Sequence, residues 1–137
     1  MPRIQLIHWN AAEAEERVKR LRDTVGHDVA WEVPEGPPYS RRLTEDPPGA
    51  IVIDLSRLPS QGRDIALAIR GHKSTRGVPL VFVGGDAQKV TRIRGLLPDA
   101  VYTSWARIRG AVEEAVTHPP ADTRPRSSFE AYSRTPL

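Results

Sequence analysis

Short apolar runs alternate with amphipathic stretches along most of the chain. Residues 4–8 form an apolar run, and "AAEAEERVKRLRDTVG" then places apolar residues three and four positions apart. Asn10 before that stretch and Gly26 at its end are typical helix boundaries, so the pattern predicts a helix between them. Residues 27–33, "HDVAWEV", alternate apolar and polar positions, which predicts a strand at the edge of a sheet with one exposed face.

The second half of the chain continues the alternation. The runs "AIVIDL", "VPLVFVGG" and "AVYTSW" predict three further strands, and the first two are apolar enough to be covered on both faces. Their following helices are predicted from "RDIALAIRGHKSTRG", "DAQKVTRIRGLLPD" and "ARIRGAVEEAVTH". A short helix over residues 39–45 fits between flanking prolines. Five strands alternating with five helices predict an α/β domain with a parallel sheet and helices on both faces.

The composition changes beyond His118. Residues 119–137, "PPADTRPRSSFEAYSRTPL", are rich in Pro, Ser, Thr and Arg and hold few residues that could fill a core. Phe129 and Tyr132 are the side chains best suited to anchor such a segment. The chain is therefore predicted to consist of one domain over residues 1–118 and a C-terminal tail or linker over residues 119–137.

Composition narrows the classes of function. A length of 137 residues suits one domain, and the absence of cysteine excludes disulfides, a thiolate nucleophile and Cys-type zinc sites. No apolar run has the length of a membrane span and the chain starts without a charged-then-apolar leader, so we expect a cytoplasmic protein with no membrane contact. The formal net charge is +3, with arginines spread along the chain. This favours anionic partners but does not indicate a dedicated nucleic-acid binder.

The candidate site lies where the strands end. Ligands of open parallel sheets bind at the carboxyl ends of the strands. Seven residues occupy those ends here: His8, Trp9, Asp54, Gly84, Gly85, Ser104 and Trp105. No serine or histidine elsewhere shows the spacing of a catalytic triad or a metal motif, so we expect no enzymatic activity, no cofactor and no bound metal.

The stretch "IVIDLSRLPSQGRDIALAIR" is the most distinctive piece of the chain. It resembles the receiver domain of two-component response regulators, in which a strand ends in a phospho-acceptor aspartate, here Asp54, and a glycine follows eight residues later, here Gly62. Pro59 lies one residue later than the family's usual proline, and Tyr102 falls at the family's aromatic switch position. The resemblance covers residues 3 to about 117. It implies a flavodoxin-like, CheY-like (βα)5 fold with strand order 2-1-3-4-5.

Four of the five active-site positions of that family hold other residue types in this chain. The two Mg²⁺-binding acids correspond to His8 and Trp9, the phosphoryl-binding Thr or Ser to Gly84, and the lysine to Trp105. Neutral imidazole and indole do not replace two carboxylates for a hard cation. The resemblance therefore implies a degenerate pseudo-receiver, in which Asp54 keeps the phospho-acceptor position without the means to use it.

Two hypotheses concern what replaces the lost groups. If the receiver strand order holds, His8 and Asp54 lie on neighbouring strands, and an imidazolium–carboxylate hydrogen bond could lock one conformation; His8 simply packed under Trp9 or facing water is the alternative. Trp9 and Trp105 are predicted to fill the former ion cavity together. Gly84 with its neighbouring glycine favours a tight turn over a phosphate-binding site made of backbone N–H groups.

The resemblance also implies an interaction face. Tyr102, Arg92, Arg94, Arg107 and Arg109 fall on the surface by which receivers commonly dimerise or contact partners, although a solvated helix pair is an equal alternative.

We therefore expect a two-component (phosphorelay) signalling module that acts by protein–protein interaction without phosphorylation, with a regulatory protein partner or a homodimer through the last helix–strand–helix face. Three alternatives stay open: a functional response regulator phosphorylated on Asp54, an arginine-mediated nucleic-acid-binding protein, and a binder of a phosphorylated ligand at Gly84 and Gly85. Nucleic acid is the less expected partner.

Overall fold

The computed structural model describes residues 3–26, 28–32, 43 and 45–120. Its strands are β1 (Arg3–Ile7), β2 (Asp28–Glu32), β3 (Ala50–Asp54), β4 (Leu80–Val83) and β5 (Val101–Thr103). Its helices are α1 (Ala11–Val25), α2 (Pro59–Gly71), α3 (Ala87–Leu96) and α4 (Ile108–Thr117), with a 3-10 turn (Trp105–Arg107) before α4. All strand pairs are parallel, in the order β2-β1-β3-β4-β5. The predicted fold class and strand order are confirmed.

Helix α1 has the boundaries that the sequence predicts. The Asn10 side-chain oxygen accepts a hydrogen bond from the Glu13 N–H at 2.9 Å, which satisfies one of the free donors of the first turn. Gly26 ends the helix with a left-handed φ of 69°, and its N–H donates to the Arg22 carbonyl. Local capping chemistry therefore fixes the segment that leads away from the candidate site.

The core has two layers, one on each face of the sheet. Successive residues of a strand point to opposite faces, so Val52 packs on the side of α1 and α4, while Ile51 and Ile53 pack on the side of α2 and α3. All five residues of β3 are buried, as expected for a central strand covered on both faces. Each aliphatic side chain buried in this way contributes about 1.5–3 kcal/mol.

The edges of the sheet are β2 and β5, and the sequence pattern predicts an edge position for the first of them. β2 is an edge strand, with Val29 buried and Trp31 half-buried against the layer of α1 and α4. β5 is the other edge and has only three residues. Among the described residues, no helix combines the length and apolarity needed to cross a bilayer; the cellular location stays a prediction.

Several element boundaries differ from the prediction; α2, for example, ends at Gly71 instead of Gly77. α2 begins at Pro59 instead of Arg63, because proline lacks the N–H that the first helical turn leaves unused. The last strand ends at Thr103 instead of Trp105, because Trp105 turns toward the interior of the site described below. The helix predicted over residues 39–45 and the tail beyond Pro120 lie largely outside the described residues.

Candidate functional site

The sheet brings His8 and Asp54 together, as predicted. Ile7 and Ile53 pair across β1 and β3, so the residues that follow them lie side by side at the carboxyl ends of these strands. Both side chains are buried, each residue being 1% exposed, and His8 Nε2 lies 3.4 Å from Asp54 Oδ2. A polar pair at this depth must find its partners inside the protein.

The histidine ring has a defined proton arrangement. The Asn10 backbone N–H donates to His8 Nδ1 at 3.1 Å, so Nδ1 is an acceptor and the proton of the ring lies on Nε2. Nε2 faces two carboxylates, with Glu13 Oε1 and Asp54 Oδ2 each at 3.4 Å. This is an electrostatic contact longer than an ordinary hydrogen bond. The predicted His8–Asp54 contact is therefore present, but it is longer than a hydrogen bond and His8 shares it with Glu13.

Asp54 is held by donors on both of its oxygens. Oδ1 accepts from the Ser56 backbone N–H at 2.8 Å and from the Ser56 hydroxyl. Oδ2 accepts from the Trp105 indole N–H at 2.9 Å and faces the His8 Nε2–H. Sequence reasoning missed Ser56, although an Asp followed two residues later by a free N–H is the pattern of an Asx turn. Hydrogen bonds to the ionised form stabilise the carboxylate in place.

Trp105 is fixed from several sides. The Arg17 guanidinium carbon lies 4.6 Å from the centre of the indole ring, and the Arg20 guanidinium donates to the Trp105 carbonyl at 3.0 Å. Its indole packs against the core layer of α1 and α4. At the position of the family's lysine, the chain therefore presents a neutral N–H donor, backed by a cation from α1.

Trp9 does not enter the Asp54 pocket beside Trp105. It packs against the other core layer, where its ring approaches Gly62 of α2. A Cβ on Gly62 would lie 3.8 Å from Trp9 and 2.7 Å from a methyl carbon of Leu55, so this glycine permits close packing. The prediction that Trp9 and Trp105 fill one cavity together is wrong, because the two indoles lie in different layers.

Glu13 and Arg57 complete the pocket, and sequence reasoning missed both. The Arg57 guanidinium hydrogen-bonds to the Glu13 carboxylate, and this bond holds the pKa of Glu13 below its usual value. Glu13 also faces His8, so it links the buried contact to the exposed ion pair. The available signal was an acidic residue in the first turn of a helix that starts beside the site.

The paired glycines form a tight turn, as favoured from the sequence. Gly84 and Gly85 have φ of 73° and 98°, and a Cβ on Gly85 would lie 2.9 Å from the Leu55 Cβ. The Gly84 N–H donates to the Thr103 carbonyl, and Asp86 accepts from two amides of the first turn of α3. These donors already have partners inside the protein, so the geometry does not favour a phosphate site.

Tyr102 is anchored rather than free to turn outward. Its hydroxyl donates to the Leu97 carbonyl at 2.7 Å, and its ring stacks on Phe82 with a centroid distance of 5.1 Å. The Arg94 guanidinium carbon lies 4.7 Å from the ring centre. Burial raises the pKa of the phenol to about 12. Tyr102 and Arg94 are thus in contact, as members of one predicted surface.

The other arginines of that surface point to solvent. Arg92 and Arg107 are exposed, and Arg109 pairs with Glu113 on the same helix at 3.4 Å. Arg107 also lines an open groove between β5 and α4, together with Tyr102. Arg94 therefore contacts Tyr102, and Arg107 lines the same groove as Tyr102; their role as an interaction face stays a prediction.

A magnesium ion does not fit the Asp54 pocket. Mg²⁺ prefers a near-octahedral set of oxygen ligands. The pocket offers the carboxylates of Asp54 and Glu13, but the His8 Nε2–H faces both, and Asp54 already accepts from Trp105. Over the part of the chain that the structure describes, no group of three His, Cys, Asp or Glu residues is arranged to hold a metal.

Solved structures show what this fold is similar to. A response regulator receiver domain from Rhodospirillum rubrum shares 20% identity over 79% of this chain and 89% of that one, with a TM-score of 0.60. A protein described as a response regulator from Chloroflexus aurantiacus shares 17% sequence identity with this chain. The match covers 85% of this chain and 98% of that one, with a TM-score of 0.68. The receiver domain of a signal transduction histidine kinase from Syntrophus aciditrophicus shares 18% over 85% and 91%, with a TM-score of 0.66.

These likenesses establish the CheY-like receiver fold of the chain. No protein-family model and no curated protein matches the sequence. The activity of the chain must therefore be argued from its own residues.

Proposed function

We propose that the chain is a receiver-like signalling module of the two-component type that acts through protein–protein contacts and without phosphorylation of Asp54. The observation that carries this proposal is the carboxylate of Asp54, which is 1% exposed and accepts hydrogen bonds on both oxygens. The receiver fold supplies the signalling context, and the pocket supplies the argument against a phosphoryl switch.

Phosphorylation of an aspartate needs a free oxygen and a compensating charge. The attacking carboxylate oxygen must reach the phosphorus in line with the leaving group, and a cation normally offsets the charge on the transferred oxygens. In this chain the Asp54 oxygens face Ser56, Trp105 and His8 instead. All three groups come from outside β3, and they take up contacts of the Asp54 oxygens that a phosphodonor or a metal would need.

The same contacts give Asp54 a structural role. They connect the end of β1, the loop after β3 and the 3-10 turn before α4, which are far apart in sequence. Removing the carboxylate would leave these N–H groups without an acceptor in a buried place, which is costly. Asp54 therefore acts as a fixed ligand that sets the relative position of these loops.

A fixed pocket leaves the outer surface to carry the function. The described residues around Tyr102, Arg94 and Arg107 combine an anchored aromatic ring with exposed guanidinium groups, a combination suited to binding a protein. The proposal includes no catalytic step by this chain. Nucleic-acid binding through the same arginines is the less expected alternative, and a steep salt dependence of DNA or RNA binding would reveal it.

The test is the intact mass of the protein after incubation with acetyl phosphate and Mg²⁺, with Asp54→Asn as the control variant. We expect no added phosphoryl group on the wild-type chain, because the oxygens of Asp54 are blocked. A mass increase on the wild type that is absent from Asp54→Asn would overturn the proposal and identify a working phospho-acceptor. A mass increase on both proteins would place the modification elsewhere and would leave Asp54 in its structural role.

A further inference from the structure

An open groove runs beside the edge strand β5. Residues 101–104 form one wall, and Arg107, Gly110, Ala111 and Glu114 form the other, with a volume of about 650 Å³. Arg107 and Glu114 are exposed, while the small residues between them leave the middle of the wall shallow. The groove therefore has a cation at one end, an anion at the other and room for a backbone between them.

The open side of the groove is a strand edge. β5 ends the strand order, and in the described part of the chain no strand lies beyond it. The Gly84 N–H donates to the Thr103 carbonyl, so Thr103 turns its main-chain groups toward β4. Because neighbouring residues turn theirs to opposite edges, Tyr102 presents its N–H and C=O outward. Such an edge is suited to accept an added strand.

A segment of the C-terminal tail has the matching charges. "RSSFE" carries Arg126 and Glu130 four residues apart, with Ser128 between them on the same face of an extended chain. Arg107 and Glu114 are seven positions apart on the helix, a rise of about 10 Å. Arg126 and Glu130 are four positions apart, which corresponds to about 13 Å in an extended segment, so the two spacings are similar. A parallel strand here sets Arg126 beside Glu114 and Glu130 beside Arg107.

The same register also explains the apolar residue of the segment. Side chains alternate along a strand, so Phe129 points to the face opposite from Arg126 and Glu130. On β5, Tyr102 belongs to the layer of α2 and α3, whereas Val101 belongs to the layer of α1 and α4. A strand added in this register would bring Phe129 to the Tyr102 side of β5, where a second aromatic ring could pack.

The handedness of the fold decides which molecule supplies the strand. α4 packs in the layer of α1, while α2 and α3, which connect the strands leading toward β5, lie on the other face. A parallel strand reached through α4 from the same molecule would close a left-handed crossover, which parallel sheets very rarely contain. An antiparallel strand from the same molecule would place Arg126 beside Arg107, a repulsive contact.

We infer that residues 126–130 of one molecule add to the outer edge of β5 in a second copy of the chain, so that two copies join through this groove. The inference shares with the proposed function only the assumption that this face binds protein. The phosphorylation test above does not bear on it, and the two can therefore fail separately.

Charge reversal tests the register directly. Glu114→Arg and Arg126→Glu should each raise the Kd of self-association about tenfold, measured by sedimentation velocity over a range of concentrations, and combining them should restore it. Glu113→Arg, an exposed acid one position earlier on the same helix, is the matched control and should have a smaller effect. An unchanged Kd of self-association in the charge-reversal variants would overturn the inference. A wild-type chain that is monomeric at every concentration would also overturn it.

A spin label distinguishes exchange between copies from folding back within one chain. The chain has no cysteine, so Ser133→Cys carries a single nitroxide. Labelled chains of natural isotopic abundance are mixed with unlabelled ¹⁵N chains, and we expect broadening of the Thr103 and Gly110 amides. Broadening of these amides only when the label is on the ¹⁵N chain itself would show folding back and would contradict the inference.

Discussion

The Asp54 pocket and the β5 groove lie on the same sheet and are built in opposite ways. In the pocket, a buried carboxylate meets donors from three separate parts of the chain. In the groove, Arg107 and Glu114 lie seven positions apart at the ends of an exposed trough beside a free strand edge. The polar groups of the pocket therefore have partners inside the protein, while Arg107 and Glu114 of the groove are exposed to solvent.

The receiver fold alone does not determine the chemistry of its central aspartate. A receiver fold places an aspartate at the end of its central strand, and this chain does so with Asp54. The neighbours of that aspartate decide whether it reacts, and here they are His8, Ser56 and Trp105. The same fold can therefore hold different groups around its central aspartate, and the function has to be argued from those groups.

Among the variants of the pocket and of the surface, Asp54→Ala should lose the most stability. It leaves the buried N–H groups of Ser56 and Trp105 without their acceptor, and we expect a loss of about 3 kcal/mol in the free energy of unfolding. Urea denaturation of the full chain measures this loss. Asp23→Ala, at an exposed carboxylate of α1, is the matched control and should stay within about 0.5 kcal/mol. Equal losses in both variants would contradict a structural role of Asp54.

Trp105→Phe should have an intermediate effect. Phenylalanine keeps an aromatic ring near Arg17 but lacks the N–H that bonds to Asp54, so we expect a loss of about 1–2 kcal/mol. Combining it with Asp54→Asn sharpens the test, because residues that share one hydrogen bond should give losses that do not add. Strict additivity of the two losses in urea denaturation would show that the indole–carboxylate bond has no energetic weight.

Tyr102→Phe should have the smallest effect at neutral pH, about 1 kcal/mol from the lost bond to the Leu97 carbonyl. Burial raises the pKa of this phenol from 10.0 to about 12 in the folded protein. The folded state therefore favours the neutral phenol: its contribution is complete below pH 10 and is lost as the pH rises toward 12. Stability measured against pH should fall less steeply for Tyr102→Phe than for the wild type in this window, and identical slopes would contradict a buried phenol.

Several features of the protein follow from local chemistry alone. The caps at Asn10 and Gly26, the apolar runs of the strands and the position of Asp54 at the end of a buried run all follow from patterns within about ten residues. The resemblance of that run to receiver domains added the strand order, which the structure confirms. The positions at which the chain differs from the receiver pattern could also be named from the sequence, because each is a single residue type at a known place.

The contacts between these residues depend on elements that are far apart in the sequence. Trp105 lies 51 positions from Asp54, and its turn into the pocket ends β5 two residues earlier than its apolar pattern predicts. Glu13 reaches His8 because the first turn of α1 stands over the strand ends. The separation of Trp9 from Trp105 likewise depends on which face of the sheet each side chain reaches. Such contacts are set by the packing of whole elements, which no local pattern of hydrophobic and polar positions records.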